Sequence, residues 1–149
     1  YEYVDIGMSY VQSNINGALG VSQLKKLDWM NNERKKIAEF YLNELKDIEA
    51  LDFMRITEGS DHNWHLFGIL VPPGDKYWIM DALRAEGVMV NVHYTPLHRN
   101  RYYQPMANKE EFQASMSFFN QLLRIPIYPS LNDIEIQQIL KAVKKLFNH

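Results

Sequence analysis

The chain has 149 residues, 46% of them hydrophobic and 23% charged, enough length and apolar content to bury a core and far from the composition of a disordered segment. Its 16 basic and 18 acidic residues leave a net charge of -2 with no long run of either sign, which removes the electrostatic footprint of a nucleic-acid binder. No apolar run approaches the ~20 residues of a membrane span, and the lack of cysteine excludes disulfides, a thiol nucleophile and thiolate metal sites.

The chain opens Tyr-Glu-Tyr-Val-Asp, without an initiator methionine, and is expected to be a fragment. From Ser13 to about Ile48 the apolar residues Ile15, Leu19, Leu24, Leu27, Met30, Ile37, Phe40, Tyr41 and Leu45 recur at helical spacing. Ser13 is the expected N-cap, the charged stretch Asn31–Lys36 a connector or bend, and Gly17 with Gly20 a place of close packing against another backbone. Two helices or one long bent helix result.

Strands are expected at Leu51–Ile56 and Trp64–Val71, the second closed by Pro72-Pro73-Gly74. Asp75 is positioned to cap a helix running to Glu86 with Trp78, Ile79, Ala82 and Leu83 on one face, and Gly87 suits a left-handed C-terminal cap. A third strand is expected at Val88–Tyr94, a helix at Glu110–Leu123, and a short extended piece at Arg124–Tyr128 broken by Pro126. Asn132 and Glu135 form a capping box for a last helix ending near Phe147. This order predicts an α+β fold, with helices packed on a small sheet.

The stretch NVHYTPLHRN concentrates candidate chemistry. His93 and His98 are five apart with Pro96 between them, matching neither the helical spacing of a zincin nor an alternating strand pair, and no carboxylate lies between Asn91 and Asn108. A metal-dependent hydrolase using His93, His98 and His65 is therefore disfavoured. His62 is expected in a loop and His65 as a buried, hydrogen-bonded histidine. No serine sits in a nucleophile elbow, and the phosphate-loop and dinucleotide fingerprints are absent. In GMSYVQSN, residues 7–14, polar side chains precede a helix N-terminus; this suits an anion or phosphate, and equally suits ordinary capping.

Four stretches in one order, VDIGMSYVQSNINGALGVSQLKKLD, HNWHLFGILV, VNVHYTPLH and LLRIPIYPSLN, resemble the C-terminal part of the DegT/StrS sugar-nucleotide aminotransferases, over essentially the whole chain. Within that family the pattern is most similar to the dTDP-4-amino-4,6-dideoxygalactose transaminases. Two positions depart from the wider family, which commonly carries Asn in place of Ser9 and Arg in place of Val11.

The resemblance implies the small C-terminal domain of the aspartate aminotransferase fold (fold type I), residues 1–149, with an inter-domain helix at about 13–48 and a mainly antiparallel sheet. It implies a pyridoxal 5'-phosphate enzyme that moves an amino group from an amino-acid donor to a 4-keto-6-deoxy sugar nucleotide, working in the cytoplasm as a homodimer with shared active sites, with no nucleic acid and no membrane as partner. Ser9 and Tyr10 would touch the cofactor phosphate of the partner subunit, and His93, Tyr94 and His98 would line the sugar-nucleotide pocket. The lysine that binds the cofactor covalently belongs to the family's large domain, so no catalytic residue is expected in this chain, and the chain alone is expected to be inactive. A stand-alone binding or dimerisation module, without catalysis, is the competing expectation.

Overall fold

The computed structural model describes residues 2, 4–8, 10–106 and 112–147. Its elements in chain order are α1 (Asn14–Leu24), α2 (Leu27–Leu45), β1 (Asp52–Phe53), β2 (Phe67–Leu70), α3 (Lys76–Ala85), α4 (Gln113–Gln121), β3 (Leu122–Ile125) and α5 (Asp133–Phe147), with 3-10 turns at Leu97–Arg99 and Gln104–Met106. The N-terminal periodicity thus resolves into two helices. Ser13 caps the first, its Oγ accepting from Asn16 N at 3.3 Å.

The sheet has three strands in the order β1-β2-β3, antiparallel throughout. Phe67 pairs with Ile125 and Ile69 with Leu123, and these four side chains face the core. Gly68 pairs with Arg124 and Leu70 with Leu122 on the opposite face, as the alternation of side chains along a strand requires. On the free edge of β3, Asn91 and Arg124 exchange both backbone hydrogen bonds, at 3.1 and 2.9 Å.

Several sequence expectations change here. The strands expected at Leu51–Ile56 and Trp64–Val71 shorten to Asp52–Phe53 and Phe67–Leu70, the stretches that pair. The third strand expected at Val88–Tyr94 is reduced to the bridge at Asn91, because Val88 and Val90 turn into the core and the chain leaves the sheet after that one pairing. The helix expected to run to Leu123 stops at Gln121, and Leu122 and Leu123 join β3 instead, where they pair with Leu70 and Ile69. Asp75 occupies the N-cap position of α3 but makes no side-chain cap hydrogen bond. The expected helix start at Glu110 lies outside the described residues.

One face of each of α2, α3 and α5 closes the core on the sheet: Ile37, Tyr41 and Leu45 from α2, Ile79 and Leu83 from α3, Ile136, Ile139, Leu140 and Val143 from α5. Those spacings of three and four bury one stripe per helix. Tyr41 spans the core and donates its hydroxyl to Pro126 O at 3.1 Å, and burial pushes its phenol pKa up, keeping it a donor. Trp78, expected on the buried face of α3, is 59% exposed. Lys76 takes the inward place instead, its Nζ donating to Phe119 O and lying 3.7 Å from the Phe119 ring centroid. Two turns are set by glycine: Gly74 has φ +95° and Gly87 φ +81°, a left-handed conformation that Cβ-bearing residues rarely adopt. No helix is long and apolar enough to cross a membrane among the described residues.

Candidate functional site

β3 sends Leu123 and Ile125 into the core and therefore Leu122 and Arg124 to the opposite face. Arg124 stands there between Gly68 and Asn91. On one side Gly68 contributes no side chain, and a Cβ at Gly68 would lie 2.8 Å from Leu122 Cδ1. On the other side is Asn91, and two residues further His93 falls on the same face, with Nε2 2.9 Å from Arg124 Nη1. The other ring nitrogen of His93, Nδ1, is buried and has no hydrogen-bond partner among the described residues. No carboxylate forms an ion pair with Arg124 among them either.

Tyr94 extends this cluster, its ring centroid 4.4 Å from that of His93 and its side chain largely exposed. His98 does not join it in the same way. It sits in the 3-10 turn Leu97–Arg99 and stacks on Phe112, the residue preceding α4, with centroids 4.6 Å apart and planes 13° from parallel. Leu97, Tyr102 and Tyr103 are exposed in the same stretch.

Arg124 also borders a cleft of about 570 Å³ between the sheet end, the Gly87–Met89 turn and the start of α5, with His65, Tyr128, Glu135 and Gln138 on its walls. Burial, and then the Glu135 charge, push the Tyr128 pKa up, so this hydroxyl remains a donor. Glu135 is already engaged: its Oε2 accepts from Asn132 N at 2.9 Å while Asn132 Oδ1 accepts from Glu135 N at 3.0 Å, the capping box anticipated for α5.

His62 and His65 exchange the roles expected of them. His62 is half-buried, accepts from Trp64 N at 3.0 Å through Nδ1 and packs edge-on against the Trp64 ring, whereas His65 is exposed. The cause is Trp64, whose φ of +50° reverses the chain locally and turns the indole into the core. No group of three or more metal-ligating side chains occurs among the described residues.

Ser9 lies outside the described residues. Tyr10 is 82% exposed and its hydroxyl donates to Met8 Sδ at 3.0 Å, a contact within its own segment. A Cβ added at Gly17 or Gly20 would meet nothing within 4 Å among the described residues, so the close packing expected at these glycines does not occur there. Arg124 and Lys76 were assigned no role from the sequence. The signal for Arg124 was a lone arginine in the otherwise apolar LLRIPI, which marks a strand with one polar face.

Lys76 is buried against Phe119, and no lysine among the described residues lines the cleft beside Arg124.

The fold is that of the small C-terminal domain of fold type I aminotransferases. Helicobacter pylori PseC, an aminotransferase involved in the biosynthesis of pseudoaminic acid, superposes with a TM-score of 0.87 at 27% identity over 99% of this chain and 40% of its own. DesV of S. venezuelae gives a TM-score of 0.91 at 24% identity, covering 100% of this chain and 40% of that one, a likeness of fold. Residues 1–144 match the DegT/DnrJ/EryC1/StrS aminotransferase family, and the chain belongs to it. Among curated relatives, the UDP-4-amino-4,6-dideoxy-N-acetyl-beta-L-altrosamine transaminase of Campylobacter jejuni is 30% identical over 88% of this chain and 36% of its own length. The spore coat polysaccharide biosynthesis protein SpsC of Bacillus subtilis is 29% identical over 98% of this chain, which spans 39% of that relative.

Proposed function

We propose that this chain is the C-terminal part of a pyridoxal-phosphate-dependent aminotransferase that transfers an amino group from an amino-acid donor to a 4-keto-6-deoxy sugar nucleotide, for deoxyaminosugar or cell-surface polysaccharide synthesis. The observation that carries the reading is the family match over residues 1–144 by a chain spanning only 39% of a relative such as SpsC. On this reading the complete protein is a cytoplasmic homodimer with shared active sites, and its large domain holds the cofactor, which supplies the electron sink for moving the amino group. The dTDP-4-amino-4,6-dideoxygalactose product class is the finer assignment.

This chain's own residues then bind and orient. His93, Tyr94 and His98 receive the sugar nucleotide, and Ser9 with Tyr10 reaches the cofactor phosphate of the partner subunit. The support for His93 and Tyr94 is geometric: an Arg124–His93 pair beside the exposed ring of Tyr94, whereas His98 stands apart on Phe112 and is carried by the resemblance. The helices α1 and α2 connect the domains, and the exposed apolar side chains from Val4 to Leu24 pack on the remainder of the longer polypeptide.

Two assays test the proposal. The chain alone, incubated with pyridoxal phosphate and borohydride, should label no single lysine stoichiometrically and transfer no amino group. The complete protein should aminate a 4-keto-6-deoxy sugar nucleotide with glutamate as donor. Failure to act on any keto sugar nucleotide would overturn the reading, and stoichiometric labelling of one lysine of this chain would overturn the division of labour between domains.

A further inference from the structure

Arginine carries N–H donors and no acceptor, so the 2.9 Å contact between Arg124 Nη1 and His93 Nε2 has one direction: Arg124 donates and His93 accepts. A ring nitrogen that accepts holds no proton. His93 is then neutral in this contact, with its proton on Nδ1, and Nδ1 is the atom buried without a partner among the described residues. An N–H in that position needs an acceptor that the described residues do not supply.

The surroundings keep Arg124 committed to the imidazole. It forms no ion pair among the described residues, Gly68 opposite it has no side chain to compete, and the Asn91 bridge fixes the backbone from which His93 projects two residues later. The partner of a histidine's second nitrogen decides which nitrogen faces a ligand.

We propose that Arg124 is a positioning residue that holds His93 in the Nδ1–H tautomer, so that His93 cannot serve as a base through Nε2. The tautomer stands on the geometry of this chain alone. With Nε2 taken by Arg124 and Nδ1 buried, neither ring nitrogen is available to take a proton from a ligand.

The direct test is a long-range ¹H–¹⁵N correlation spectrum of the ¹⁵N-labelled chain at mildly alkaline pH, with the His93 ring assigned by its loss in His93→Gln. His93 should show a protonated Nδ1 and an unprotonated Nε2. Arg124→Met should shift the ring toward Nε2–H, and Arg124→Lys, which keeps one donor, should restore the wild-type pattern. A protonated Nε2 in the wild type, or an unchanged pattern in a folded Arg124→Met, overturns the tautomer assignment; if Arg124→Met does not fold, the wild-type spectrum and the Lys variant decide. A complete wild-type protein with no amino transfer would instead sink the aminotransferase reading and leave the tautomer standing.

Discussion

The molecule divides at Leu27. Before it, none of the described residues of the stretch 2–26 is buried, although Val4, Ile6, Met8, Val11, Ile15, Leu19 and Leu24 are between 62% and 98% exposed. Beyond it, α5 carries a comparable set of apolar residues, and Ile136, Ile139, Leu140 and Val143 are at most 7% exposed. Both segments are rich in apolar side chains; what differs is the presence of a facing surface. An 11-residue helix with two glycines and no buried residue is shorter than the ~12–15 residues at which isolated helices become marginal, so α1 is weakly stable on its own.

The largest expected contrast comes from truncating one leucine in each region. Leu83→Ala, at a fully buried position of α3, should cost about 2–5 kcal/mol in urea unfolding of this chain, because it leaves a cavity among α3, α5 and the sheet. Leu19→Ala on α1 should change the same quantity by less than ~0.5 kcal/mol. A comparable loss at Leu19 would show that α1 is part of the cooperative unit, and the division at Leu27 would fail.

Helix caps give a smaller contrast of the same form. Asn132→Ala removes one arm of the capping box that starts α5 and should lower global stability by about 1 kcal/mol. Ser13→Ala removes the bond from Asn16 N, and its effect should appear only as faster amide exchange within α1, with the unfolding midpoint unmoved. Equal shifts of the midpoint in the two variants would again join the two regions.

The smallest effect is a tilt of the pH profile. Burial holds the Lys76 ammonium below its ordinary 10.5, so below that value the unfolded chain binds more protons than the folded one and stability rises with pH, an increment complete once pH passes 10.5. Lys76→Met should remove this rise, leaving the variant at least as stable as the wild type at neutral pH, since a buried charge gives way to an apolar side chain of similar length. A wild-type slope of the opposite sign relative to the variant would mean that the Phe119 carbonyl and ring stabilise the ammonium more than burial penalises it.

Features whose partners lie within about four residues were legible in the chain alone: the Ser13 cap, the left-handed turn at Gly87, the Asn132–Glu135 capping box and the helical spacing of Ile37, Tyr41 and Leu45 that makes α2 one-sided. Each is a local hydrogen-bond or steric preference that the chain satisfies wherever the element ends up. The motifs also carried the family, because ordered short stretches identify a lineage even where none of them specifies a contact. Whatever depended on a distant neighbour was fixed only by folding. The stretch Val88–Tyr94 has strand composition, yet only Asn91 meets a partner, because β3 is short and the core takes Val88 and Val90. His62 and His65 trade environments because Trp64 reverses the chain between them, and Lys76 is buried because α4 lays Phe119 over it. The candidate site followed the same rule: His93 and Arg124 are 31 residues apart, and only the antiparallel closure of the sheet edge brings the guanidinium to the ring nitrogen that accepts from it.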